Sequence, residues 1–264
     1  MKRIALLALL ITCAAITSAE AENVKRTTLP NGLTILTKPS DVNNIVSVVV
    51  TLRMGSLYET DSQAGLSTLM QDAILKGTTN RTSEQIALEL ETMGTRLGTS
   101  ANREYGALTL KSTARSLYES LAILYDVILN ANFPDDAVDL QKNLQKRSIL
   151  MRDDQPLYRA VDLMVEAHYG DHPFHKSRLG SPETIDSFAR DDLQEMHDRI
   201  YVPNNMVVTA VGNFDADTLI KHMSGHLGAM VEQDAPEPEA GVMPDPSEPL
   251  ENIRSEEHTS ELQS

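Results

Sequence analysis

Cysteine is nearly absent from this 264-residue chain: Cys13 is the only one. Long apolar runs are missing too. Residues 4–11 and 14–16 make one short apolar stretch behind Lys2 and Arg3, and Ala19-Glu20-Ala21 follows as a small-x-small cleavage pattern. That order reads as a secretory leader over residues 1–21. No stretch of about 18 apolar residues comes after it, which excludes a membrane-spanning helix from the sequence reading. Leu10-Ile11-Thr12-Cys13 has the outline of a lipoprotein leader, but Thr12 is a poor residue before a lipidated cysteine. Cleavage after Ala21 removes Cys13, so neither disulfides nor thiol chemistry is expected in the mature chain. A domain of about 200 residues can bury enough apolar surface without cross-links. Export with this composition points to a bacterial periplasm. Positive charge is scarce as well: 23 Lys and Arg stand against 38 Asp and Glu, a net charge of −15. That balance argues against nucleic acid or an anionic membrane surface as partner.

What remains reads as one globular domain over residues 22–233. Residues 234–253 carry five prolines and several acids with little apolar content, a linker towards a second domain. Residues 254–264, RSEEHTSELQS, have no apolar period and read as an in-frame translation of a sequencing-library adapter.

Within the domain, strands and helices alternate. Residues 24–29 and 33–37 flank Pro30-Asn31-Gly32, a hairpin turn signal. Residues 45–52 are β-branched and suit a buried strand. Leu66, Leu69, Met70, Ala73 and Ile74 fall on one helical stripe that Gly77 ends. Thr82-Ser83-Glu84-Gln85 fits a capping box for a second helix before Gly94. Leu97-Gly98-Thr99-Ser100 reads as a turn before an edge strand over residues 105–113. Leu117, Leu121, Leu124, Tyr125 and Ile128 mark a third helix, and Pro134 opens a fourth. Further helices are expected over 157–167 and 191–200, then a strand over 206–212 and a helix capped by Asp215. Hairpins mixed with clustered helices indicate an α+β fold, not a doubly wound parallel sheet.

Several landmarks carry a family resemblance when taken in order. Thr28-Leu29-Pro30-Asn31-Gly32-Leu33-Thr34 resembles the opening hairpin of the pitrilysin/insulinase zinc metallopeptidases, which include the mitochondrial processing peptidases. Met54-Gly55-Ser56, Ala64-Gly65-Leu66 and Lys76-Gly77-Thr78 are similar to the surroundings of that family's zinc helix. His172-Pro173-Phe174, Leu179-Gly180-Ser181, residues 201–206 (YVPNNM) and Val211-Gly212-Asn213 are similar to its later landmarks. The resemblance implies a mixed sheet with helices packed mainly on one face.

Active members carry His-x-x-Glu-His on that helix: two imidazoles bind zinc, the Glu takes a proton from bound water, and a downstream Glu completes the ligands. The resemblance places these positions on Thr68, Gln71, Asp72 and Ser148. Two hydroxyls, an amide and a single carboxylate do not make a three-ligand zinc site. No catalytic residue, metal ligand or bound cofactor is therefore expected in this chain, with zinc expected only in a partner.

The other histidines offer no substitute. His222 and His226 share a helical face with no Glu between them and read as a solvated or partly packed pair. His172 and His175 fall in a turn, and His168 and His197 read as helix residues without partners. No nucleotide loop or nucleophile elbow is present. The resemblance implies an inactive subunit that pairs with an active zinc peptidase as a heterodimer and helps enclose an extended peptide. Residues 96–110 are the candidate peptide-binding edge. A free-standing binding or scaffold protein and a zinc endopeptidase with other ligands are the alternatives.

Overall fold

The computed structural model describes residues 24–238 and 241. The leader, most of the linker and the 254–264 tail lie outside the described residues. Six strands form one mixed sheet: β1 (Lys25–Thr28), β2 (Thr34–Pro39), β3 (Ile45–Arg53), β4 (Arg96–Ala101), β5 (Tyr105–Thr113) and β6 (Met206–Gly212). Their spatial order is β1-β2-β6-β3-β5-β4. Every neighbouring pair is antiparallel except β2 and β6, which run parallel with Thr34 opposite Val207.

Eight α-helices are described: α1 (Leu66–Ala73), α2 (Ser83–Thr92), α3 (Leu117–Asn130), α4 (Asp135–Asp153), α5 (Pro156–Tyr169), α6 (Pro182–Ser187), α7 (Arg190–Ile200) and α8 (Ala216–Leu227). The fold is α+β, as the residue pattern predicts.

Local signals set many of these boundaries. Asn31 holds the first hairpin, its side-chain oxygen accepting from the Leu33 amide at 3.3 Å. Thr82 and Gln85 cap α2 reciprocally, each side chain bonded to the other's backbone amide. Asp215 accepts from the Thr218 amide and starts α8. Two expectations are corrected. Residues 97–100 are not a turn: they lie inside β4, the sheet's last strand, because Arg96–Ala101 pairs with β5 along its whole length. The β-branched strand β3 is buried on one face only. Val46, Val48, Val50 and Leu52 point into the core while Ser47, Val49 and Thr51 stay partly exposed. The same alternation runs through β6, where Val208 and Ala210 are buried and Val207 and Val211 are exposed. Helices therefore cover one face of the sheet.

Buried Asp126 on α3 ties down the loop that follows α1. Its carboxylate accepts from Thr78 Oγ1 (2.7 Å), Asn80 Nδ2 (2.6 Å), Arg81 Nη1 (2.7 Å) and Asn130 Nδ2 (2.8 Å). Burial alone would raise its pKa, but the four donors outweigh it and the net shift is downward. As pH falls, the unfolded chain takes up this proton first, so the contribution exists above the ordinary aspartate range and fades below it. D126N turns one acceptor into a donor facing donors. It will cost about 2–4 kcal/mol at neutral pH in urea unfolding, and the gap will narrow as pH drops below about 4.

Candidate functional site

Helix α1 begins where the chain needs a left-handed residue. Gly65 has φ 92°, and a Cβ there would sit 2.6 Å from the Leu179 carbonyl oxygen, so the 176–181 loop lies directly on the helix start. Glu59 closes the same end. Its carboxylate accepts from the Gly65 amide at 3.1 Å and the Ser67 amide at 2.6 Å. A carboxylate at a helix N-terminus satisfies orphan N–H groups and complements the positive end of the helix dipole. Lys176 is buried beside it and donates to the Glu59 backbone oxygen. Burial raises the Glu59 pKa, partly offset by the Ser67 and Gly65 bonds and by the Lys176 charge. On α4, Gln145 Nε2 donates to both the Gly65 and Leu179 carbonyls, at 3.0 and 2.9 Å.

The four positions singled out in the sequence take their places around this helix. Thr68 is buried and donates its hydroxyl to the Arg178 carbonyl at 2.7 Å. Gln71 is fully buried, with Nε2 donating to the Ala107 carbonyl at 3.1 Å and Oε1 accepting from the Tyr201 hydroxyl at 2.8 Å. Burial raises the Tyr201 pKa, so the phenol stays neutral and remains a donor. Asp72 is exposed at its surface but crowded by protein. Desolvation raises its pKa against the pull of Arg178 and Lys76. Ser148 lies exposed on α4 and donates back to the Leu144 carbonyl of its own helix at 3.1 Å.

These donors do not suit zinc. Both hydroxyls and the amide are committed to protein partners, and Asp72 is the one ionisable group of the four. A neutral amide cannot take a proton from water at any ordinary pH. Among the described residues, no group of three or more His, Cys, Asp or Glu side chains is arranged to hold a metal ion.

The remaining histidines are mostly packed. His172 Nδ1 accepts from the Phe174 amide at 3.2 Å, and His175 Nδ1 lies 2.9 Å from the His172 carbonyl, which shapes the turn. His197 and His168 do have partners, contrary to expectation. The His197 ring is buried, stacks on Tyr201 at 4.6 Å and reaches Asp198 at 3.1 Å, while His168 meets Tyr169 edge-on at 4.9 Å. Sequence reasoning missed Glu59, Lys176 and Tyr201. Glu59 alone left a local signal, an acid just ahead of a helix start.

A family model described as Insulinase (Peptidase family M16) matches residues 34–181. The chain belongs to peptidase family M16. A second M16 model, Peptidase M16 inactive domain, matches residues 187–263 and so begins downstream of all four positions. Among curated relatives, a Mycobacterium tuberculosis protein named as an uncharacterized zinc protease is 31% identical over 78% of this chain and 47% of its own length. The probable mitochondrial-processing peptidase subunit beta of Schizosaccharomyces pombe is 27% identical over 78% of this chain and 46% of its own. The M16 chain thus spans about half the length of these relatives. Solved structures share its fold. A protease from Helicobacter pylori superposes with TM-score 0.77 at 19% identity, covering 84% of this chain and 54% of that one. The periplasmic protease PqqL from Escherichia coli gives 0.76 at 18%, covering 84% and 26%.

Proposed function

We propose that this M16 chain is a catalytically inactive, exported subunit that pairs with an active zinc peptidase of the same family and supplies part of the wall around an extended peptide. The observation that carries this reading is the state of helix α1. The hydroxyl and amide at its motif positions are bonded into the protein, and one carboxylate is left. The leader-like start of the sequence and a fold shared with a periplasmic protease support export. Among the described residues no helix is long and apolar enough to cross a membrane. The subunit named among the relatives supports pairing.

Peptide contact is assigned to β4. It is the outermost strand on its side of the sheet, and an open groove of about 1070 Å³ runs between it and α2, lined by Ile86, Leu90 and Leu97 among others. An added strand there would gain backbone hydrogen bonds largely independent of its sequence, with side chains reaching the apolar floor.

Co-expression with a family peptidase that keeps an intact His-x-x-Glu-His motif is the test. The two chains will co-purify in equal amounts, and cleavage of an unstructured peptide will rise at least about tenfold over the active chain alone. If every such peptidase from the same source runs alone and works equally well without this chain, the subunit reading fails and the free-standing binding protein takes its place.

A further inference from the structure

His222 and His226 lie one turn apart on α8, and α3 sends Tyr118 and Tyr125 against them. The two imidazole centroids are 4.8 Å apart. His222 is half-buried: its Nδ1 lies 3.2 Å from the Tyr125 hydroxyl oxygen, and its ring sits 4.8 Å from that of Tyr118. His226 is exposed and stacks on Tyr125 at 4.7 Å with the planes 22° apart. The pair is therefore partly packed, and both rings are held in place by the same tyrosine.

That placement matches a chelate. Two imidazoles sharing one ion through nitrogens about 2.0–2.1 Å away have ring centroids roughly 4.5–5.2 Å apart, and the observed separation falls within that span. Ligating histidines usually donate their second ring N–H to a neighbouring acceptor, which turns the free lone pair outward. Here the Tyr125 hydroxyl oxygen is positioned to accept from Nδ1–H of His222, leaving the Nε2 lone pair for an ion.

We propose that His222 and His226 form a two-imidazole site for a late first-row divalent ion of the Ni²⁺, Cu²⁺ and Zn²⁺ class, with Tyr125 orienting His222. The site is built on α3 and α8, not on α1 and α4, and it stands whether or not the chain pairs with a peptidase. Two protein ligands leave the ion's other positions to water or to a side chain of another molecule. The bound ion is accordingly exchangeable, with Cu²⁺ held more tightly than Ni²⁺ or Zn²⁺.

Equilibrium dialysis of the full chain against NiCl₂ near neutral pH tests this directly. The natural chain will take up about one equivalent. H226Q, a change at an exposed ring, will bind at least about tenfold more weakly, and H222Q likewise. H168Q, which removes an imidazole elsewhere, will bind as the natural chain does. Y125F will weaken binding by a smaller factor while circular dichroism shows the fold intact. No saturable equivalent in the natural chain, or undiminished binding by H226Q, overturns the site. Undiminished binding by Y125F overturns the orienting role.

Discussion

Restoring T68H, Q71E, D72H and S148E together will give a chain that keeps about one zinc through gel filtration, while the natural chain keeps none at these positions. Single restorations will fail, because three protein ligands must converge before zinc stays bound through gel filtration. The four changes also carry a structural cost. Gln71→Glu gives up the bond to the Ala107 carbonyl, although the Tyr201 hydroxyl can still donate to a carboxylate. Thr68→His must displace the contact with the Arg178 carbonyl. The metal-free variant should therefore be less stable by about 2–4 kcal/mol. Zinc in about thousandfold excess over its dissociation constant would return about 4 kcal/mol, read as a rise in unfolding temperature. The measurement belongs in an H222Q/H226Q background, so that the site on α8 contributes nothing. If the natural sequence in that background retains zinc stoichiometrically, the inactive-subunit reading is wrong.

Removing Glu59 will produce the second large effect. E59A strands the Gly65 and Ser67 amides at the start of α1 and removes a carboxyl group whose pKa the Lys176 charge lowers, while the Lys176 bond to the backbone oxygen of residue 59 and its contact to Asp61 at 3.7 Å remain. A loss of about 3 kcal/mol is expected in urea unfolding at neutral pH. The pH dependence gives a sharper check, because its sign is opposite to that of Asp126. The folded pKa of Glu59 is raised above its ordinary value of 4.5. The folded chain thus holds this proton when the unfolded chain has released it. The associated stability is complete below about pH 4.5 and declines as pH rises through the folded value. E59Q has no such dependence, so the natural chain's advantage over E59Q will shrink with rising pH. Its advantage over D126N will grow over the acid range. A Glu59 contribution that instead strengthens with pH would mean that its two amide bonds outweigh desolvation.

How much of this was readable beforehand follows sequence separation. The Thr82–Gln85 capping box, the Asn31 turn and the Asp215 cap each close within a few residues, and local chemistry determined them. Reading residues 97–100 as a turn failed because a Gly-Thr-Ser segment has weak intrinsic preference, and pairing with β5 made it a strand. The four motif positions were legible only as a spacing within landmarks. Their hydrogen bonds were not, since Gln71 meets Tyr201 across 130 residues and Thr68 meets Arg178 across 110. Lys176 shows the same limit: nothing near it in sequence predicts a buried lysine against a loop 117 residues upstream.

The placement of β6 also constrains how the chain can assemble. It is inserted between β2 and β3, yet among the described strands it is the last to leave the ribosome or a translocation pore. Until Met206–Gly212 arrives, the inner edges of β2 and β3 have no partner. The hydrophobic faces of Ile35, Val48 and Val50 cannot close into one core. Such late, long-range pairing slows folding and exposes strand edges that invite association. A chain that is threaded unfolded through a membrane and completes its sheet only after most of it has crossed would be shielded from that hazard on the near side. It would meet the hazard in full on the far side, where a waiting partner or a holding chaperone would matter most.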